Sequence, residues 1–362
     1  MTKKKIDVNE IKEATKPEVK VERPKITLNS GSTLINLMLS NDVNGGYEPG
    51  YHLWWGTSRS GKSLLTLQAL AEAANSDKFA EYALYHNDTE RGAGQGLRAL
   101  FGNKATERIL PPFMDEDGNW GSSTLIEDFF CDLDDKLQED APFIYVLDSF
   151  DALTTNAEDK EFKDTKKALR AGKQISGTFG VSKAKAFSVN MRRIPAPLLD
   201  KNSYLFGISQ AKDNLSFGFE KHSRAGGTAL RYYANSELLV DIVGAIKKTV
   251  AGTARHIGNR VKVSVKKNRQ TGSSNSVEIS IYDGFGVDDI GDMIYYLTET
   301  EEHWTKTGQK INVPEWDIKV TFDKLVQHIE NNGLEDDLKQ IVQKLWDDIR
   351  EKASLKRKKR YE

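Results

Sequence analysis

Residues 54 to 63 read WWGTSRSGKS, and the run Gly56, Thr57, Ser58, Arg59, Ser60, Gly61, Lys62, Ser63 has the spacing G-x-x-x-x-G-K-[ST]. The glycines allow main-chain N–H groups to curl around phosphate oxygens, and the lysine can reach the β- and γ-phosphates of a nucleotide. The serine hydroxyl is a ligand for Mg²⁺, and a helix starting there adds the positive end of its dipole. A chance glycine-rich turn would not need an apolar strand before it and a helix after it. Here YHLWW (51–55) precedes the loop and SLLTLQALAEAAN follows Lys62. Gly56 to Leu64 is therefore the expected phosphate-binding segment.

Other segments could complete such a site. In FIYVLDS, Asp148 ends an apolar run and is placed to hold a Mg²⁺ shell together with Ser63; an Asp capping a turn is the plainer alternative. In YALYHNDTERG, Asp88 and Glu90 are alternate residues just past a strand, so both are expected to face one side, where a carboxylate can deprotonate an attacking water. YLFGISQ ends in Gln210, a neutral amide suited to sensing a γ-phosphate. The loop after it, AKDNLSFGFEKHSRAGG, interleaves Lys212, Lys221, His222 and Arg224 with Phe217 and Phe219. Cations with stacking aromatics suit a single-stranded nucleic acid, and a floppy insertion is the alternative. A second glycine-rich basic segment, RAGKQISGTFGVSKAK (170–185), adds Lys173 and Lys183.

These segments require a scaffold. Short apolar runs at 51–55, 82–86, 143–148 and 204–209 are separated by helical patterns. That alternation predicts an α/β fold with a mostly parallel central sheet flanked by helices. RVKVSVKK and SVEISIY read as a hairpin extending the sheet. From about Gly284 the texture changes: TETEEHWTKTGQKINVPEW reads as polar loop. Two amphipathic helices follow, one with Phe322, Leu325, Val326 and Ile329 stopping at Asn332-Gly333, the other with Leu338, Ile341, Val342, Leu345, Trp346 and Ile349. The expected division is an N-terminal arm (1–25), a core (26–283) and a small C-terminal domain (284–362) ending in the basic run KRKKR. The 362 residues are 29% charged with net charge −1, so any nucleic-acid binding must come from local patches. One cysteine, Cys131, excludes a disulfide framework and points to a reducing compartment, and no apolar run is long enough for a membrane span. A soluble cytoplasmic protein is expected.

In this order the pieces resemble the RecA family of recombinases from about Ile26 onward. GTSRSGKS resembles its Walker A loop, and YVLDSFDALT its Walker B strand with the following Asp-Ser. NDTER stands where the family has D-x-E, which makes Glu90 the implied water-activating base. GISQ resembles the strand ending in the glutamine switch, followed by a DNA-binding loop that AGGTALRYYAN closes. VSVKKNRQTG resembles a strand whose cations, here Lys267 and Arg269, reach the neighbouring protomer's nucleotide. The resemblance implies a RecA-like P-loop ATPase core that uses ATP and Mg²⁺. It further implies a helical homo-oligomeric filament on single-stranded DNA that pairs it with a homologous duplex. The N-terminal arm would dock on the next protomer, and single-strand-binding and mediator proteins would be further partners. The segment 111–124 and the basic end differ from bacterial members and resemble a bacteriophage, UvsX-like type acting in the host cytoplasm. Two other readings stay open: a RecA-fold ring helicase or DNA-repair accessory motor, and a recombination mediator that hydrolyses little ATP.

Overall fold

The apolar runs form strands, and their alternation divides two packed layers. The computed structural model describes residues 26–92, 96–114, 120–171, 181–213, 222–224, 228–299 and 303–358. In chain order the strands are β1 (Gly50–Gly56), β2 (Ala83–Asp88), β3 (Ile109–Leu110), the small hairpin β4 (Phe113–Met114) and β5 (Trp120–Gly121), β6 (Phe143–Asp148), β7 (Tyr204–Asp213), β8 (His222–Arg224), β9 (Ser236–Val250), β10 (Thr253–Asn268), β11 (Ser276–Tyr282) and β12 (Gly286–Val287). The main sheet runs β12-β11-β10-β9-β1-β7-β6-β2-β3, with β8 paired to β7 off this path. Neighbours from β9 to β3 are parallel; β9 to β12 are joined antiparallel.

Strand β1 shows how the sequence makes two layers. Trp54 joins one apolar cluster, whereas Tyr51, Leu53 and Trp55 join the other, as a period of two requires. The first cluster lies under the helices Thr33–Ser40, Lys62–Asn75 and Asp289–Glu299; the second lies under Ile126–Gln138, Val181–Met191 and Pro195–Asp200. Each fully buried Leu or Phe stabilises by roughly 1.5–3 kcal/mol over exposure.

The structure departs from sequence expectation in three places. Residues 303–321 are not a polar loop: β13 (Thr305–Thr307), β14 (Lys310–Val313) and β15 (Ile318–Thr321) form a three-stranded sheet. Its apolar content is sparse but alternates, so Ile311 and Val313 point inward and Trp304 is buried beside them. The apolar residues of this sheet and of the helices Phe322–Asn332 and Glu335–Ala353 belong to the same cluster as the helix Thr33–Ser40. There, Trp346 Nε1 donates to Asn41 Oδ1 and Gln343 Nε2 to Asn41 O. Second, β9 was not legible as a strand; it pairs along β10 through a turn at Ala251-Gly252, both with positive φ. Third, β7 continues past Ser209 to Asp213 and doubles back through β8. The N-terminal arm, residues 1–25, lies outside the described residues.

Gly207, within β7, has a tight environment. A Cβ there would lie 2.1 Å from Phe150 Cε2, on a ring packed against Phe129 and Phe187. The Gly207→Ala variant is expected to lose about 1–3 kcal/mol, the range for an overpacked core. A urea unfolding midpoint at unchanged slope would measure it.

Candidate functional site

The parallel strands deliver their C-terminal ends to one edge of the sheet, and the candidate residues gather there. Gly56 at the end of β1 is level with Gln210 on β7, and Asp88 on β2 is level with Asp148 on β6. The loop after β1 must pass close under β9: a Cβ on Gly56 would stand 2.1 Å from Val240 O, and its φ is 156°. Only glycine fits there. Arg59 is also in the left-handed region, and the helix begins at Lys62 after Gly61 with φ 93°.

Within this loop Lys62 is 7% exposed, and its Nζ donates to Gly56 O at 3.2 Å and Thr57 O at 2.7 Å. Burial lowers its pKa; the charges of Asp148, Glu90 and Asp151 oppose the shift. The Ser60 hydroxyl is buried with no partner among the described residues. A buried ammonium held by carbonyls, an orphaned hydroxyl, and a passage open only to backbone all fit the phosphates of a nucleotide. Ser63 donates to Asp148, so the two expected metal ligands meet. Burial, chiefly, pushes Asp148 up to about 6, with Glu90 and Asp88 adding to the rise and Ser63 and Lys62 opposing it. A carboxylate held in this state gains from a cation placed beside it, which is the fit expected for Mg²⁺ at Ser63 and Asp148.

Glu90 joins the group through two hydrogen bonds to Oε1, one from Ser149 Oγ at 2.8 Å and one from Gln210 Nε2 at 3.2 Å. Thr89 secures the segment: its N and Oγ1 donate to Asp148 O at 2.8 and 2.7 Å, and Oγ1 accepts from Ser149 N at 2.7 Å. Asp88 lies level with Asp148 and, like Glu90, its charge acts on that carboxyl. The chain turns after β2, with Arg91 at φ 54°, and Asp88 Oδ1 accepts from Gly92 N at 3.1 Å. The turn begins after Asp88, the last residue of β2.

Lys267 and Arg269 lie elsewhere. Antiparallel pairing carries the end of β10 back to the level of Ser236 and hence of His52, four residues from Gly56, or roughly 13 Å along the strand. There Lys267 Nζ donates to Arg231 O and Tyr232 O (3.0 and 2.7 Å), and Arg269 Nη2 donates to Tyr232 O at 3.0 Å. Burial and then the neighbouring Arg269 lower Lys267 to about 8, against the pull of Glu237. Both cations converge on Tyr232 O, on the edge away from their own phosphate loop.

Of the candidate nucleic-acid contacts, Lys212 and Arg224 occupy the β7–β8 hairpin, where Lys212 is level with Ser223 and Ala211 with Arg224. Phe217, Phe219, Lys221 and Lys173 lie outside the described residues. Lys183 donates to Asp151 O and Leu153 O at 2.8 and 2.6 Å. Sequence reasoning missed three participants: Ser149, Thr89 and Asp151. Ser149 and Thr89 are adjacent to the selected Asp148 and Glu90, whereas Asp151 carries no such signal.

The raised pKa of Asp148 makes a pH prediction. A carboxyl whose folded pKa is above its unfolded value stabilises the fold when protonated, and that contribution is lost as pH rises through about 6. The Asp148→Asn variant, without nucleotide, should therefore match the parent near pH 4 and exceed it by about 1–3 kcal/mol at pH 7.5. Urea melts at the two pH values measure this.

No family model matches the chain. Protein RecA of Colwellia psychrerythraea strain 34H is 25% identical over 245 residues, covering 66% of this chain and 61% of the relative. Protein RecA of Chloroherpeton thalassium is 27% identical over 248 residues, covering 68% and 60%. Protein RecA of Rhizobium leguminosarum bv. viciae is 28% identical over 247 residues, covering 66% and 60%. The matched region spans about three fifths of the length of these curated relatives. No helix among the described residues is long and apolar enough to cross a membrane. With the α/β sheet and the order of its loops, this distant homology to RecA proteins supports membership of the RecA family.

Proposed function

We propose that the protein is an ATP-dependent homologous recombinase, a DNA-dependent ATPase that assembles as a helical filament on single-stranded DNA and pairs it with a homologous duplex. The observation that carries this reading is the meeting of Lys62, Ser63, Asp148, Glu90 and Gln210 at one sheet edge, with the β7–β8 hairpin leaving the same edge directly after Gln210. ATP with Mg²⁺, when bound, would supply a transferable phosphoryl group. Lys62 would neutralise phosphate charge, and Ser63 and Asp148 would hold the metal ion. The two hydrogen bonds on Oε1 of Glu90 fix its carboxylate and leave Oε2 to take a proton from water. Gln210 joins that carboxylate to the hairpin, so a change at the phosphate can be felt along β7. Phe217 and Phe219 would stack on bases while Lys212, Lys221 and Arg224, with Lys173 from the second segment, hold phosphates. Residues 1–25 would dock on the next protomer, and the basic end and the 111–124 segment support a bacteriophage-type member.

The distance of Lys267 and Arg269 from their own loop supports a role across the protomer interface. Cations delivered in trans would stabilise charge on the phosphoryl group, so turnover would need two adjacent protomers. A closed-ring motor or a mediator would differ in assembly and in strand exchange.

Three outcomes are expected. Lys62→Ala should lose nucleotide binding and about 10²-fold in turnover, whereas Glu90→Gln should keep binding and lose hydrolysis, as read by fluorescent-nucleotide titration and phosphate release. The Phe217→Ala/Phe219→Ala pair should weaken single-strand binding by roughly 2–6 kcal/mol, since stacking contributes about 1–3 kcal/mol per base, while leaving DNA-free ATPase in place. Unchanged affinity by anisotropy would remove this loop as a DNA site. Finally, Glu90→Gln protomers mixed with the Lys267→Ala/Arg269→Ala variant should recover part of the DNA-stimulated ATPase. No recovery at any ratio would show that the cations do not act across the interface.

A further inference from the structure

The turn after β6 is bonded both to β7, at Gln210, and to the helix Val181–Met191, at Lys183, and Asp151 is its centre. The β6–β7 ladder ends at Leu147–Gly207, while β7 runs on beside β1 as far as Gly56–Gln210. On the β6 side, Phe150 N donates to Ile208 O at 2.9 Å, and beyond that no strand remains. The Asp151 carboxylate takes the place of the missing strand: its Oδ2 accepts from Gln210 N at 2.6 Å. The same residue's carbonyl oxygen accepts from Lys183 Nζ at 2.8 Å. Lys183 is near the start of the helix Val181–Met191 that follows residues 172–180. Asp151 thus holds the β7–β8 hairpin through its side chain and the start of the helix Val181–Met191 through its main chain.

Gln210 is held twice, its N–H by Asp151 and its side-chain amide by Glu90. Ser149, two residues before Asp151, also donates to Glu90. The result is a closed circuit: Glu90 to Gln210, Gln210 to Asp151, and Asp151 through its own turn to Ser149 and back to Glu90. A hydrogen bond from an N–H to a carboxylate is among the stronger ones a protein makes. Without it, Gln210 N–H would lose this acceptor at the point where β7 passes from β1 to β8, and Gln210 could rotate its amide away from Glu90.

We infer that Asp151 is a positioning residue that makes the β7–β8 hairpin and the start of the helix Val181–Met191 move together with the phosphate site. This rests on the nucleotide reading above but not on strand exchange. Asp151 touches neither the phosphate loop nor the expected metal ligands through any described hydrogen bond. Its effect reaches the reaction through the placement of Gln210 and Ser149.

The test uses the full chain and a non-hydrolysable ATP analogue with Mg²⁺, read by amide hydrogen exchange. In the parent, the Gln210 amide should be protected, and the analogue should change exchange at 56–63 and also at 204–213. Asp151→Leu, which keeps bulk but has no acceptor, should speed exchange at Gln210 about ten-fold or more. It should still show the analogue's effect at 56–63, but not at 204–213. Asp151→Asn, whose side-chain oxygen still accepts, should restore both the protection and the response. In steady-state ATPase, Asp151→Leu should lower DNA-stimulated kcat with KM for ATP within about two-fold, and Asp151→Asn should recover it. A parent-like response at 204–213 in Asp151→Leu, or an Asp151→Asn variant as uncoupled as Asp151→Leu, would overturn the inference. No change at 56–63 in the parent would overturn the nucleotide reading itself, and the coupling with it, so the two failures are told apart.

Discussion

Everything at the candidate site follows from the shared direction of β1, β7, β6 and β2. Four parallel strands in register end at one edge, which puts Gly56 beside Gln210 and Asp88 beside Asp148 without any special contact. The chain then leaves each strand by a different turn. β1 turns under Val240 O into a helix N-terminus, β6 turns at Asp148-Ser149, and β2 turns after Asp88 so that Glu90 reaches Ser149 and Gln210. Parallel strands need helical crossovers. The same crossovers cover both faces of the sheet, which is why these strands are apolar on both sides and why polar chemistry is confined to their ends.

Charge is arranged around this edge at some cost to the fold. Lys62 and Asp148 are both buried, and each is shifted toward its neutral form mainly by loss of water. The neighbouring charges, Asp148, Glu90 and Asp151 around Lys62 and Lys62 beside Asp148, offset this only in part. Binding an anion at one and a metal ion at the other relieves both. Lys267 and Arg269 show the complementary situation on the far edge, two cations satisfied by the last carbonyls of the short helix Ala229–Tyr233. A helix C-terminus is a weak anion, and a phosphate supplied by another protomer would be a better one.

Much of this was legible from sequence because the signals were local. Gly56–Ser63, the strand ending at Asp148, and the helix stop at Gly333 were each marked by residues within a few positions of one another. Other parts were not legible, for physical reasons. The β9–β10 turn uses Ala251 at φ 51° where glycine or asparagine is usual, so no turn signal marked it. The sheet at 305–321 has few apolar residues, and its alternation is visible only once Trp304 is known to be covered. Asp151 was unreadable because its partner, Gln210, is brought to it by the sheet and not by spacing.

The central claim is that a nucleotide at Gly56–Ser63 is completed by cations from the next protomer in a filament. The most direct measurement is an electron cryomicroscopy reconstruction of the protein with single-stranded DNA and a non-hydrolysable ATP analogue. The account predicts an open helical filament with Lys267 and Arg269 of one protomer, released from Tyr232 O, against the nucleotide held by Lys62 of its neighbour. Closed rings, or a filament in which both cations remain on Tyr232 O and far from any nucleotide, would contradict it.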